Sequence, residues 1–338
     1  MNVNNSERIE YIDLFKSFGI ILMIFGHLGF GDTFDKFIHA FHMPMFFWIS
    51  GYLFGGYHKS KIGFVGFIKK KAKSLLLPYI SFVIVIFTAD TIVRLIAKQP
   101  VNLDLLVRFF TDNRSGLGMG GPLWFLTALF FAGVFFYLID RFILNKFIKV
   151  AVIVIVSTFG TLESVLLPFN LPLSIGIGCT GVGLIYLGYL FGEYKKNKIV
   201  SLLTHLNWLT NTVLAALTVA LIFLNNYVNM KSGKYDIIPL FWINALLGTL
   251  VLFNYARLLY PFVANNFIGR YFCGIGRDSI VYLCVNLPIV YPIAALVKSV
   301  SLPIYIEKII DVVLVFVILW LINKLIQNTK LRYLFGKW

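Results

Sequence analysis

Residues 11–31 read YIDLFKSFGIILMIFGHLGFG. The run is long and apolar enough to cross a bilayer, whose hydrocarbon core of about 30 Å takes roughly 20 helical residues. It nevertheless carries Asp13, Lys16 and His27. An ionisable side chain at the centre of a membrane helix costs about 2.5–3.5 kcal/mol on insertion scales, so such groups face a protein interior or a wet cavity. Asp13 and Lys16 are an i,i+3 pair, neighbours on a helix surface. From Lys16 to His27 is close to three turns, about 16 Å of axis at 1.5 Å per residue. The three therefore share one face, a polar stripe up the side of a membrane helix.

The rest of the chain fits that reading. Of 338 residues, 59% are hydrophobic and 13% charged, with mean hydropathy +0.84; soluble domains carry about 25% charged residues. The expected fold is all-α: one membrane-embedded domain over 1–338 with about ten transmembrane helices. The apolar segments are 11–31, 37–56, 75–97, 122–140, 148–167, 172–193, 206–226, 237–259, 278–297 and 303–326. Counting Lys and Arg on alternate sides gives 20 against 9, with Lys16 inside the first span. The positive-inside rule then puts both termini in the cytoplasm. A net charge of +15 is thus mostly a topology signal, and no nucleic-acid module is expected. No cleavable signal peptide is expected either, because the first apolar run carries Lys16 and is too long for one. Cys179, Cys273 and Cys284 have no metal-motif spacing and no disulfide framework.

Along the chain, His27 lies toward the outer end of the first span. His39 and His42 follow as an i,i+3 pair at similar depth, and Pro44 is expected to kink the second span. No Asp, Glu or Cys is read at ligand spacing near these histidines, so no metal site is expected. The segment from Gly55 to Ser74 reads as a cytoplasmic loop with six lysines: Lys59, Lys61, Lys69, Lys70, Lys71 and Lys73. Such a cluster binds anionic lipid or fixes topology, and it equally suits the phosphates of a soluble ligand. It contains no Walker loop and no dinucleotide fingerprint. Residues 98–121 form the longest outer loop, with Arg114 followed by a glycine-rich run, GLGMGGP, that reads as mobile. Trp124 then sits at the outer interface. Asn286, Pro288 and Pro292 lie in the ninth span, which is expected to bend. The two halves show no sequence repeat of the transporter kind.

The pattern Arg8-x4-Asp13-x2-Lys16-x10-His27 resembles the signature of the acyltransferase-3 family of membrane O-acyltransferases. FHMPMFFWISGYL, residues 41–53, is similar to that family's FHMPLFFFISGYL element, especially in the branch of fucose 4-O-acetylases and the intercellular-adhesin O-acyltransferase. LLLPY at 75–79, GPLWFLTALF at 121–130, LIYLGYLFG at 184–192 and GRDSIVYL at 276–283 follow in the family's order. The resemblance touches most of the chain. One departure is that many members carry a histidine a few residues after the Ser-x-x-Tyr, where this chain has Asn286.

The resemblance implies a multi-pass enzyme of a bacterial-type cell membrane. It moves an acyl group, usually acetyl, from cytoplasmic acyl-CoA to a hydroxyl of a cell-surface or lipid-linked carbohydrate. Acyl-CoA would be a co-substrate, with no bound cofactor. A sugar hydroxyl is a poor nucleophile that needs a base to take its proton, and His27 is the candidate, supported by Asp13 and His42. Lys16, Lys70, Lys71 and Lys73 are candidates for the donor phosphates. Trp124, Arg114 and Asn286 are candidates on the acceptor side. Two other readings stay open: a glycan transporter or flippase with the stripe lining its pathway, and a non-catalytic sensor on the same scaffold.

Overall fold

The computed structural model describes residues 10–58 and 63–337. Arg8, Lys59 and Lys61 lie outside the described residues. Among the described residues there is no strand, only a single antiparallel bridge, Asn229 to Lys234. The helices are α1 (Glu10–Leu28), α2 (Asp32–His39), α3 (Pro44–Leu53), α4 (Phe64–Lys71), α5 (Leu77–Ile96), α6 (Leu103–Thr111), α7 (Trp124–Phe142) and α8 (Lys146–Leu166). They continue with α9 (Ile175–Glu193), α10 (Lys198–Thr204), α11 (Trp208–Leu224), α12 (Ile238–Val263), α13 (Phe267–Arg277), α14 (Ser279–Lys298) and α15 (Ile304–Gln327). Among the described residues, eight helical stretches are long and apolar enough to cross a membrane, and the count is nine if the α10–α11 pair, bent by 82°, is taken as one span. The chain is a polytopic all-α membrane protein, in which only helices or closed barrels satisfy the backbone in lipid.

The ten apolar segments all have helical counterparts, but two differ from simple spans. The second is broken: α2 ends at His39, a turn follows, and α3 starts at Pro44. Proline sits at the first helical position, where its missing N–H has no intrahelical partner to lose; the sequence expectation was a kink beyond it. The other is α11, which has 17 residues behind the bend. Two expected loops are also largely folded. Phe64–Lys71 is helical and runs through a π turn, Ala72–Leu76, into α5, so Lys69 to Lys73 stand on a continuous 33-residue helix. The glycine-rich run ends in a 3₁₀ turn, Gly118–Leu123, instead of a mobile loop. Between α12 and α14, the expected turn is α13.

At the centre, α3 is buried at Pro44–Ile49, Gly51 and Tyr52, as a helix that is apolar all round must be. It packs on α9, α12, α1 and α7. The α3–α9 contact is backbone on backbone. A Cβ at Gly51 would overlap the Ile185 carbonyl, one at Gly188 the Trp48 carbonyl, and one at Gly192 the Tyr52 carbonyl. Small residues let membrane helices approach this closely, and the packing itself then holds them together. Beside the contact, Phe15, Trp48, Tyr52 and Phe253 form an aromatic cluster with ring centroids 5.2–6.3 Å apart.

A buried polar network fixes the loop between α6 and α7. Arg114 Nη1 lies 2.9 Å from Glu163 Oε2, with the two side chains only 2% and 1% exposed. Arg114 Nη2 donates to Asn170 Oδ1, Asn170 Nδ2 donates to Asp112 Oδ1 at 3.0 Å, and Leu171 N donates to Glu163 Oε1 at 2.8 Å.

Three stability outcomes are expected from this packing. Gly188→Ala should destabilise the purified protein by about 1–3 kcal/mol through overpacking, read as a lower thermal midpoint in detergent. Gly63→Ala, where an added Cβ meets nothing within 4 Å, should stay within about 0.5 kcal/mol of the parent. Arg114→Ala, which strands Glu163, should cost about 3–5 kcal/mol, and Arg114→Met with Glu163→Leu should recover most of it. Equal melting of Arg114→Ala and parent would show that this pair does not hold the loop.

Candidate active site

A cavity of about 300 Å³ opens at the His27 end of α1. Its wall comes from segments far apart in sequence: α1 (Met23, Gly26, His27), the α2–α3 break (Asp35, His39, His42), the 3₁₀ turn before α7, Trp124, the α11–α12 loop (Tyr227, Lys231) and α14. The three histidines of the sequence reading therefore meet at one recess. Among the described residues, no group of three His, Cys, Asp or Glu is placed to hold a metal ion.

The histidines differ in how they are held. The His42 ring, buried, places Nδ1 2.7 Å from the Ile38 carbonyl. A carbonyl only accepts, so Nδ1 carries the proton, and in the neutral ring Nε2 is left as an acceptor. His39 Nδ1 lies 2.8 Å from the Asp35 carbonyl and 3.1 Å from the Asp35 carboxylate. Tyr227 donates to the other Asp35 oxygen at 2.6 Å. Burial, aided by the Asp35 hydrogen bond, pushes the Tyr227 phenol up to about 12, so it remains a donor across the physiological range. The His39 and His42 rings meet edge to face at 5.0 Å. His27 is the exception: it is exposed to the cavity and among the described residues takes part in no hydrogen bond or ion pair. Both of its nitrogens are available to a substrate.

Lys231 also lines the cavity. It comes from the 3₁₀ turn Met230–Ser232 in the α11–α12 loop, and its charge acts on His27. Trp124 completes the wall next to Gly121 and Pro122.

Other residues singled out by sequence lie elsewhere. Arg114 is not on the cavity wall; its guanidinium is committed to Glu163 and Asn170. Asn286 is fully buried and its Nδ2 donates to the Tyr282 and Leu283 carbonyls at 3.2 and 2.6 Å, while Leu283 and Leu287 of the same helix line the cavity. Asp13 and Lys16 pair at 2.9 Å toward the opposite end of α1, below Met23, and take no part in the wall. Near them Asp278 is a buried carboxylate that pairs with Lys337 and accepts from Asn323 Nδ2 at 2.9 Å. Lys337 is close enough for its charge to act on that of Lys16. Lys70 and Lys73 are exposed, whereas Lys71 is half-buried against α7, with its ammonium 5.8 Å from the Phe67 ring centroid and its stem beside Gly133.

Sequence reasoning missed Asp35, Tyr227, Lys231 and Lys337. The Asp35–His39 pair has an i,i+4 signature that helical spacing makes legible. Tyr227 and the two lysines carry no local signal, because their partners are set by helix packing alone.

The family comparison agrees with the resemblance in the sequence. The acyltransferase-3 model, described as an acyltransferase domain, matches residues 9–323. No curated protein and no solved structure matches the chain. With nearly the whole chain covered, and with that coverage running from the α1 stripe through to α15, the protein belongs to the acyltransferase-3 family and is a membrane-embedded acyltransferase.

Proposed function

We propose that the chain is an O-acyltransferase of a bacterial-type plasma membrane. It transfers an acyl group, acetyl in the first instance, from cytoplasmic acyl-CoA to a hydroxyl of a cell-surface or lipid-linked carbohydrate, as in the fucose 4-O-acetylase and intercellular-adhesin branch. The observation that carries this reading is His27: an imidazole with both nitrogens free, on the wall of a cavity, in an acyltransferase. A base must reach the proton that it removes, and His27 is the histidine of the three with no competing partner. His42, with Nδ1 tied to Ile38, offers Nε2 to orient the acceptor.

The step is an addition and elimination. The acceptor oxygen bonds to the thioester carbonyl carbon as His27 takes the hydroxyl proton. The carbonyl then re-forms, the C–S bond breaks, and the leaving thiolate takes the proton back. Among the described residues no Ser, Thr or Cys lines the cavity, which favours direct transfer over an acyl-enzyme on one of those three side chains. At the other end of α1, the basic groups Lys16, Lys70, Lys73 and Lys337 suit the donor phosphates, with the thioester arm reaching toward His27. Trp124 on the wall suits a sugar face. Arg114 acts on the site through the loop that it anchors, and Asn286 through the packing of α14; Asp13 holds Lys16.

His27→Ala and His27→Gln should both lose at least about 10²-fold in ester formation, the lower range for general-base catalysis, while the protein still accumulates. His42→Asn should lower turnover without abolishing it. The readout is mass spectrometry of surface glycans before and after mild alkali, which removes an ester; transport alone leaves no such mark. Substantial activity in either His27 variant would end its assignment as base.

Neutralising Lys70, Lys71 and Lys73 together should raise the donor KM more than the acceptor KM, by an amount that shrinks with added salt as charges are screened. Lys16→Arg should be tolerated and Lys16→Ala should weaken donor affinity, because lysine contacts to phosphate are loose in geometry. Donor titration in nanodiscs, with orientation checked, is the measurement. Unaltered donor kinetics in the triple variant would return these lysines to a purely topological role.

A further inference from the structure

Lys231 stands apart from the other cations of the protein. Among the described residues it makes no hydrogen bond and no ion pair, although it is half-buried and lines the His27 cavity. Its Nζ lies 3.4 Å from the position that a Cβ on Gly121 would occupy, so the absence of a side chain there leaves space for the ammonium at the wall. The nearby carboxylates do not neutralise it. Asp35 is taken by His39 and Tyr227. Asp112, which accepts from Asn170 and from the Arg114 backbone, acts on Lys231 only through its field.

The turn that carries Lys231 is tightly held. Asn229 and Lys234 exchange backbone hydrogen bonds of 2.7 and 3.0 Å. Asn229 Oδ1 caps the turn at Ser232 N, Gly233 supplies the left-handed residue at φ 68°, and Met230 is buried. A tightly held turn that puts an unpaired cation on the wall of the cavity that an unpaired imidazole also lines is a preorganised electrostatic device. Such groups stabilise charge that develops during reaction without reorganising at that moment.

We propose that the Lys231 ammonium holds the negative charge that develops on the thioester carbonyl oxygen during transfer. The inference rests on the reading that acyl transfer occurs in the His27 cavity. As the acceptor oxygen bonds to the carbonyl carbon and His27 takes its proton, the carbonyl π pair moves onto oxygen, and Lys231 pairs with that oxyanion. Collapse returns the pair to the C=O bond, breaks C–S and releases the thiolate, which is protonated by the His27 imidazolium. Lys231 keeps its own protons throughout. Acting this way, it contributes mainly to the transition state and little to substrate binding.

The test compares parent, Lys231→Met, Lys231→Gln, Lys231→Arg and His27→Ala as purified full chains in nanodiscs. The donor is acetyl-CoA, the acceptor is surface glycan extracted from the host cell, and thiol release is read with ester formation. Lys231→Met and Lys231→Gln should lose about 10²–10³-fold in kcat, as for removal of one oxyanion donor. Their donor and acceptor KM values should stay within about threefold, the pattern of an interaction made only in the transition state. Lys231→Arg, which keeps the charge, should retain more activity than either and stands as the readout should the neutral variants fail to fold. A raised acceptor KM with kcat preserved would overturn the proposal and make Lys231 an anchor for an anionic acceptor. Unchanged kinetics, or equal loss in the arginine and neutral variants with matched thermal unfolding, would overturn it as well. Retained activity in His27→Ala alongside the predicted Lys231 losses would instead remove the base assignment. Absence of ester from the parent would overturn both.

Discussion

The carbonyl of Ile38 is the point on which the site is built. The helix breaks between α2 and α3 inside an apolar protein, and every backbone group freed by the break needs a partner where water is scarce. Ile38 O accepts from Phe41 N at 3.2 Å, from His42 N at 3.0 Å and from the His42 ring at 2.7 Å. Satisfying the break therefore recruits a histidine, fixes its tautomer and turns its other nitrogen away from the backbone. Asp35 and His39 repeat the arrangement one turn earlier. The helix break and the polar site are one structure, seen first as a hydrogen-bonding requirement and then as chemistry.

That arrangement holds only if α3 cannot shift. Pro44 starts the helix without a missing hydrogen bond, and the glycine contacts with α9 set α3 against backbone atoms that do not yield. Interiors packed at this density pass small displacements on to their neighbours, so the α3–α9 seam and the rings around Phe253 hold the histidines in place from behind. In front, α2 is tied to the α11–α12 loop by Asp35 and Tyr227, and to the last turn of α11 by Lys36, whose ammonium donates to the Phe223 carbonyl at 3.3 Å.

The two ends of α1 are opposite electrostatic environments. At the Lys16 end, Lys16 faces Asp13, and Lys337 faces Asp278 with Asn323. Charge there is compensated and the exposed lysines beside it are adaptable, which suits a flexible polyanion. At the His27 end, Lys231 and His27 are uncompensated and half enclosed. An unpaired charge in such a place destabilises the empty protein, and it is useful where a negative charge appears only during reaction. The free imidazole and the free ammonium thus lie at the same end of the molecule, on one cavity.

Much of this was legible in the chain, for a physical reason. Helical periodicity and hydropathy are local properties, so residues 11–31 by themselves establish a membrane helix with Asp13, Lys16 and His27 on one side, and apolar runs of about 20 residues establish an all-α membrane protein. Motif spacing in α1 and at 41–53 was enough to identify the family. Local pattern failed where a contact spans the fold. Arg114 reads as a free loop cation, but Glu163 meets it from α8. The lysines of 69–73 read as a loop, but the helix continues through them because Phe67 and Leu75 are buried on its inner face. Lys231 reads as one more topological charge, and Tyr227 carries no signal at all. Their placement beside His27 depends on how α2, α11, α12 and the turn before α7 pack. The sequence by itself determined which groups enter the membrane and on which face of α1 they lie, because spacing along one helix is enough for that. Only the tertiary structure decided which of those groups find partners and which stay free, because partners come from segments up to 280 residues away.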